Sequence, residues 1–139
     1  MYVLFVLPLP ILLNHSTNTM ALTVRGAGVT VLNGLYQAKP FSIIPPGFTK
    51  TCNQMRWNSE DMWNQLAVPS AYWFEHDNGS YIYLHKDGRW WMDDPSGAGI
   101  YVCPASDGVD RVPSAGWQPL SAGLDPMPMV EHDGPGSEL

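Results

Sequence analysis

Six residues stand where this chain could do chemistry: Trp73, Tyr83 and Trp91, with Tyr81, Glu75 and Asp93 close to them in the sequence. Aromatic planes flanked by carboxylates suit sugar rings, proline-rich peptides or cationic side chains. Glu75 and Asp93 are the one acid pair that strand register brings to a common face, so a small carboxylate-dependent hydrolase would rest on them. Other catalytic or metal-binding patterns are missing. Of the four histidines, His15 lies near the N-terminus and His132 near the C-terminus, while His76 and His85 flank two hairpin loops and fall on opposite faces. Cys52 and Cys103 lie in no CxxC, and there is no DxDxDG or GxSxG pattern. Gly26-Ala27-Gly28 lacks the third glycine and the following helix of a nucleotide fingerprint. No catalytic residue, metal or cofactor is therefore expected.

The elements that must position the six residues lie between 71 and 93. Ala71–His76, Ser80–His85 and Arg89–Asp93 are β-prone runs separated by Asp77-Asn78-Gly79 and Lys86-Asp87-Gly88. Each loop ends in glycine, the pattern of a three-residue hairpin with a left-handed third residue. These loops set the register. His76 opposes Ser80, so Trp73 faces Tyr83 and Phe74 faces Ile82. His85 opposes Arg89, so Tyr83 faces Trp91 and Ile82 faces Met92. Tyr72, Phe74, Ile82, Leu84, Trp90 and Met92 then share an apolar core face. The opposite face carries the row Trp73, Tyr83, Trp91, with Glu75, Tyr81 and Asp93 on one side and His85 and Arg89 on the other. That row is either a ladder buried beneath the N-terminal hairpin or the 48–70 segment, with Trp57, Trp63 or Trp117 on top, or an open binding platform. We favour burial, because a small domain needs its aromatics for its core.

The rest of the chain reads as further short β elements. Val29–Leu32, Asn33-Gly34 and Leu35–Ala38 predict a hairpin with a two-residue turn. Phe41–Ile44 predicts a short strand ended by Pro45-Pro46-Gly47. Within 48–70, Ser59-Glu60-Asp61 ahead of Met62, Trp63 and Leu66 can cap a helix of about two turns around 59–67; an irregular insertion is the alternative. Ile100–Cys103 predicts a fourth strand, 104–113 a loop, and Gly116-Trp117 an anchor. The expected fold class is all-β: a small antiparallel meander of hairpins, as a two-layer sandwich or open barrel, with that one short helix. The expected organisation is an apolar leader over 1–19, a β domain over 20–120 and a flexible acidic Pro/Gly-rich tail over 121–139.

Composition narrows the function classes. The chain has 139 residues, 13 glycines, 13 prolines and six tryptophans, and only 14% of it is charged, against roughly 25% in an average protein. That argues against a long helical bundle, and a 45% hydrophobic content argues against disorder throughout. Net charge is −6 and the seven basic residues stand singly, so nucleic acid is not an expected partner. The apolar run 1–13 is too short to span a bilayer and contains Pro8 and Pro10. It reads either as a signal-like segment, which implies secretion, or as an extension upstream of a true start at Met20, which implies a cytoplasmic protein. A Cys52–Cys103 bridge would contribute about 4 kcal/mol in the chain-entropy model; two separate buried thiols is the reading we favour.

Gly26-Ala27-Gly28, Asn33-Gly34-Leu35-Tyr36, Tyr81-Ile82-Tyr83, Gly88-Arg89-Trp90, Gly99-Ile100-Tyr101, Pro113 and Gly116-Trp117 resemble a short aromatic-rich β module. That module has the pattern GAG…NGxY…YxIY…GxWxI…GxYY…PP…GW and occurs singly or repeated in algal, oomycete and other protist proteins. The resemblance covers about residues 24–130. It departs from the pattern in the long 48–70 segment and in a single proline at 113. Its matching positions are turn glycines and core aromatics, so it speaks to fold, and it implies an accessory or interaction role. The expected function is thus a non-catalytic binding or protein-interaction module using its loops or the Trp73/Tyr83/Trp91 face. Alternatives are a secreted carbohydrate-binding module and the hydrolase built on Glu75 and Asp93. A protein or a carbohydrate is the expected partner.

Overall fold

Gly79 and Gly88 close the two hairpin loops with φ of 98° and 89°, the left-handed conformation that glycine adopts without steric cost. They set the register of β3 (Trp73–His76), β4 (Tyr81–Leu84) and β5 (Arg89–Asp93). Phe74 pairs with Ile82 and Glu75 with Tyr81; Ile82 pairs with Met92, Tyr83 with Trp91 and Tyr81 with Asp93. This is the register read from the loops. The computed structural model describes residues 20–106 and 111–133; the 1–19 leader lies outside the described residues.

Around the meander, β1 (Ala21–Arg25), β2 (Gly34–Lys39), β6 (Gly99–Pro104), β7 (Gln118–Pro119) and β8 (Met129–His132) complete an antiparallel sheet of eight strands. The order is β7-β6-β5-β4-β3-β2-β1-β8, and the sheet curls into a half-barrel. The all-β antiparallel fold class holds, with two short helices, α1 (Pro46–Met55) and α2 (Ser59–Leu66). Strand alternation sends Leu22, Val24, Tyr36, Phe74, Ile82, Trp90, Met92 and Tyr101 into one continuous apolar core, joined by Trp117 and Val130. Tyr72 is the exception to the expected core face. It precedes the first paired residue of β3 and is 52% exposed.

Three local expectations are corrected. Val29–Leu32 is not a strand: Thr30–Leu32 is one turn of 3₁₀ helix, and Asn33-Gly34 does not make a two-residue turn. Instead the Asn33 side chain accepts from Ala27 N (2.9 Å) and donates to Ala27 O (3.2 Å). That clamps a longer loop, so β2 pairs with β1 through Val24 and Gly34. Phe41–Ile44 is not a strand because its carbonyls face indoles rather than a neighbouring strand. Trp63 Nε1 donates to Phe41 O (2.9 Å), and Trp73 Nε1 donates to Pro40 O (3.0 Å) and Ile43 O (2.8 Å).

The third correction concerns the C-terminal segment. The tail expected to be flexible from 121 onward is ordered as far as 133. There β8 pairs with β1 and Val130 enters the core. Gly28 N donates to Pro126 O (2.8 Å), and Tyr101 Oη donates to Leu124 O (2.6 Å). The segment's backbone groups find partners on β1, the 26–33 loop, Tyr101 and Ser114, which composition alone does not reveal. Residues 134–139 lie outside the described residues. Among the described residues no helix is long and apolar enough to cross a membrane.

Candidate functional site

The second face of the sheet is covered by the two helices. Pro46 occupies the first turn of α1, where its missing N–H costs nothing and its fixed φ favours the helix. Pro45-Pro46-Gly47 therefore starts a helix where a strand end was expected. Gly47 lets α1 approach the sheet: a Cβ there would lie 2.8 Å from both Pro95 O and the Tyr81 ring. In α2, Asn58 Oδ1 accepts from Asp61 N (2.9 Å), and Glu60 and Asp61 lie in the first turn, where negative charge is favoured by the helix dipole. The helix expected around 59–67 thus forms.

The apolar residues of α1 and α2 meet the aromatic row directly. Trp63 is centred 5.4 Å from Tyr83 and 6.2 Å from Trp73. Phe48 meets Trp63 edge-on at 5.0 Å and Tyr83 at 6.2 Å. Phe48, Cys52, Trp63, Trp73, Tyr81 and Tyr83 form a second buried cluster. The row is the covered ladder rather than an open platform. Trp63 is its cover, whereas Trp117 belongs to the other core and Trp57 is exposed. Cys52 and Cys103 are free thiols in different clusters on opposite faces, and burial pushes both thiols up.

The cover is incomplete. Between α1, α2, β4, β5 and the start of β6 lies a pocket of about 150 Å³. Phe48, Trp57, Tyr83 and Trp91 supply its aromatic walls, with Met62 and Leu66 from α2. Trp57, on the rim, is 46% exposed, and Trp91 is half-buried. Asp93 also lines this pocket, although only 4% of it is exposed. No well-formed hydrogen bond reaches Asp93 Oδ1 or the hydroxyl of its cross-strand partner Tyr81 among the described residues, although the hydroxyl interacts with the carboxyl.

Burial pushes the Asp93 carboxyl up to about 8; the Tyr81 hydroxyl partly offsets this, and the Asp94 charge adds to it. Burial likewise drives the Tyr81 and Tyr83 hydroxyls well above their ordinary value, with the Asp93 charge adding to both. Burial thus favours the neutral form of the Asp93 carboxyl among these aromatic walls.

At the far end of the row the chain satisfies itself. Asp87 Oδ2 accepts from Arg89 Nη2 (2.8 Å), Arg89 Nε (3.1 Å) and Trp91 Nε1 (3.1 Å). Burial opposes the Asp87 charge, but these bonds outweigh it and hold the carboxyl below its ordinary value. Arg89 stands 5.3 Å from the Trp91 ring centre and His85 stacks on that ring at 5.1 Å. Burial lowers the His85 imidazole, opposed by Asp87 and assisted by Arg89.

Of the six residues singled out in the sequence, Tyr83, Trp91 and Asp93 reach the pocket. Trp73 and Tyr81 are buried beside it. Glu75 lies outside it, 3.8 Å from Lys39 Nζ, with the buried Tyr81 between it and Asp93. The two carboxylates do not share this pocket. Sequence reasoning missed Phe48, Thr51, Cys52, Met62 and Leu66 as lining residues. Their signal was the spacing of three and four in Phe48/Thr51/Cys52 and of four in Met62/Leu66, which places each set on one helix face. Among the described residues no group of three or more His, Cys, Asp or Glu is placed to hold a metal ion. No protein-family model, curated protein or solved structure matches the chain.

Proposed function

We propose that this chain is a non-catalytic binding module that receives one side-chain-sized group in the pocket between α1, α2 and the sheet. The observation that carries the reading is the pocket itself, aromatic on its walls and lined also by the buried Asp93, whose Oδ1 has no well-formed hydrogen bond. A buried polar atom without a partner is costly, and an occupant that bonds to it recovers that cost. A volume of about 150 Å³ is that of a cavity able to hold a benzene ring. It suits one side chain or a small molecule rather than a drug-sized ligand. The Trp57 ring at the rim provides apolar contact for whatever carries that group.

The test is a titration of the whole chain with benzyl alcohol, tert-butanol and tetramethylammonium, followed through the indole N–H signals of Trp57, Trp63 and Trp91. Saturable shifts with a Kd of about 1 mM or below for at least one probe are expected. They should be lost in Leu66→Trp, which fills the pocket. Three probes that all leave the indole signals unmoved would overturn the reading.

A further inference from the structure

The occupant's chemistry follows from what lines the pocket. Four aromatic residues line one small volume, and Asp93, which lines it too, keeps a buried carboxyl oxygen without a hydrogen-bond partner. An aliphatic guest would use the rings and leave that oxygen unmet. A sugar would bring several hydroxyls to walls that offer few polar partners. A cation whose charge is spread over methyl groups fits both features: ring faces attract it through their quadrupole, and the carboxylate pairs with it. The chain already places one cation on this aromatic surface, since Arg89 stands over Trp91, tied to Asp87. The net charge of −6 favours approach of a cation.

Resting on the binding reading above, we propose that the pocket recognises a methylated ammonium group, held among the Phe48, Trp57, Tyr83 and Trp91 side chains and by the Asp93 carboxylate. When the cation enters, the Asp93 O–H bond breaks and its proton passes to solvent water. The cation then occupies the place of that proton as the counter-charge, so an ionised carboxylate is not left unpaired in the interior. The titratable groups around Asp93 are Cys52 from α1, Tyr81 and Tyr83 from β4, and Asp94 next along the chain. The pocket residues of α2 and β6, namely Met62, Leu66 and Gly99, carry none. The same chemistry is available from a methylated lysine side chain on a partner protein and from a free quaternary amine.

The test compares tetramethylammonium with its neutral counterpart tert-butanol, on wild type and Asp93→Asn, at pH 6 and pH 8.5. Expected is an advantage of about tenfold or more for the cation at pH 8.5. It should shrink at pH 6 as the proton competes and vanish in Asp93→Asn, whose cooperative melting certifies its fold. Equal binding of the two probes in wild type would overturn the choice of a cation while leaving the pocket reading intact. Absence of binding by both, and by benzyl alcohol, would remove that reading and this proposal with it. A short peptide bearing trimethyllysine separates the sources. Tighter binding than tetramethylammonium supports a protein side chain, and binding no tighter supports a free amine.

Discussion

The two faces of one meander are built from alternate residues of the same strands, yet they behave as different materials. On the concave face Phe74, Ile82, Trp90 and Met92 are closed over by the curl of the sheet itself. On the other, Trp73, Tyr81, Tyr83 and Trp91 depend on two short helices for cover. The first face is lined by apolar side chains from β1 to β6 and from β8. The second retains a pocket and a buried acid; each face keeps a buried donor without a partner, Trp90 Nε1 on the first and the Tyr81 hydroxyl on the second. A sheet that curls completes its own core, whereas a face covered by separate helices meets them imperfectly, and the leftover space beside a buried acid is where a ligand can be recognised.

Substitutions break this contrast in order of size. Trp90→Ala on the concave face is expected to cost about 3–5 kcal/mol and to lower the denaturation midpoint of the whole chain cooperatively. Trp63→Ala under the helices is expected to cost about 3 kcal/mol. Its signature in hydrogen exchange is local: amides of 46–66 should lose protection well before those of β4 and β5. Uniform loss over both regions would show that the two faces are one unit.

Asp93 sharpens the contrast through pH. Its folded value of about 8 lies above the ordinary 3.8, so the folded chain holds a proton that the unfolded chain releases. This contribution is fully present below the ordinary value and is lost as pH rises towards about 8, with a slope of up to ~1.4 kcal/mol per pH unit. In Asp93→Asn that slope should disappear from thermal melts taken between pH 5 and 9. An unchanged slope would place the carboxylate in water. Asn58→Ala, which removes the cap of α2, should cost about 1 kcal/mol and loosen the cover alone. Arg25→Ala breaks an ion pair with Glu131 in which both side chains are largely exposed. Less than about 1 kcal/mol is expected from denaturant titration.

The meander was legible because Asn78-Gly79 and Asp87-Gly88 close loops of fixed length, and loop length sets which residues face each other. The covered row followed from that register and from how many aromatics a small domain must bury. What was not legible depended on long-range partners. Pro45-Pro46-Gly47 has two local readings, a strand end or a helix start, and packing of Gly47 against Tyr81 and Pro95 accompanies the second. Asn33-Gly34 favours a tight turn locally, but the Asn33 side chain has a better use in clamping Ala27. Val130 carries a weak strand signal that its pairing with Val24 makes decisive. The pocket escaped for the same reason: Phe48, Thr51 and Cys52 come from α1, whose start the Pro45-Pro46-Gly47 signal left ambiguous, while Asp93 stood out only as an acid on an aromatic face.

The central claim is that a buried Asp93 carboxyl lines a pocket able to receive a cation. A pH titration of the Asp93 carboxyl carbon by NMR tests it most directly, run with and without tetramethylammonium. The account predicts a midpoint near 8 for the free chain that falls when the cation is added; a midpoint near the ordinary 3.8, unmoved by the cation, would contradict it.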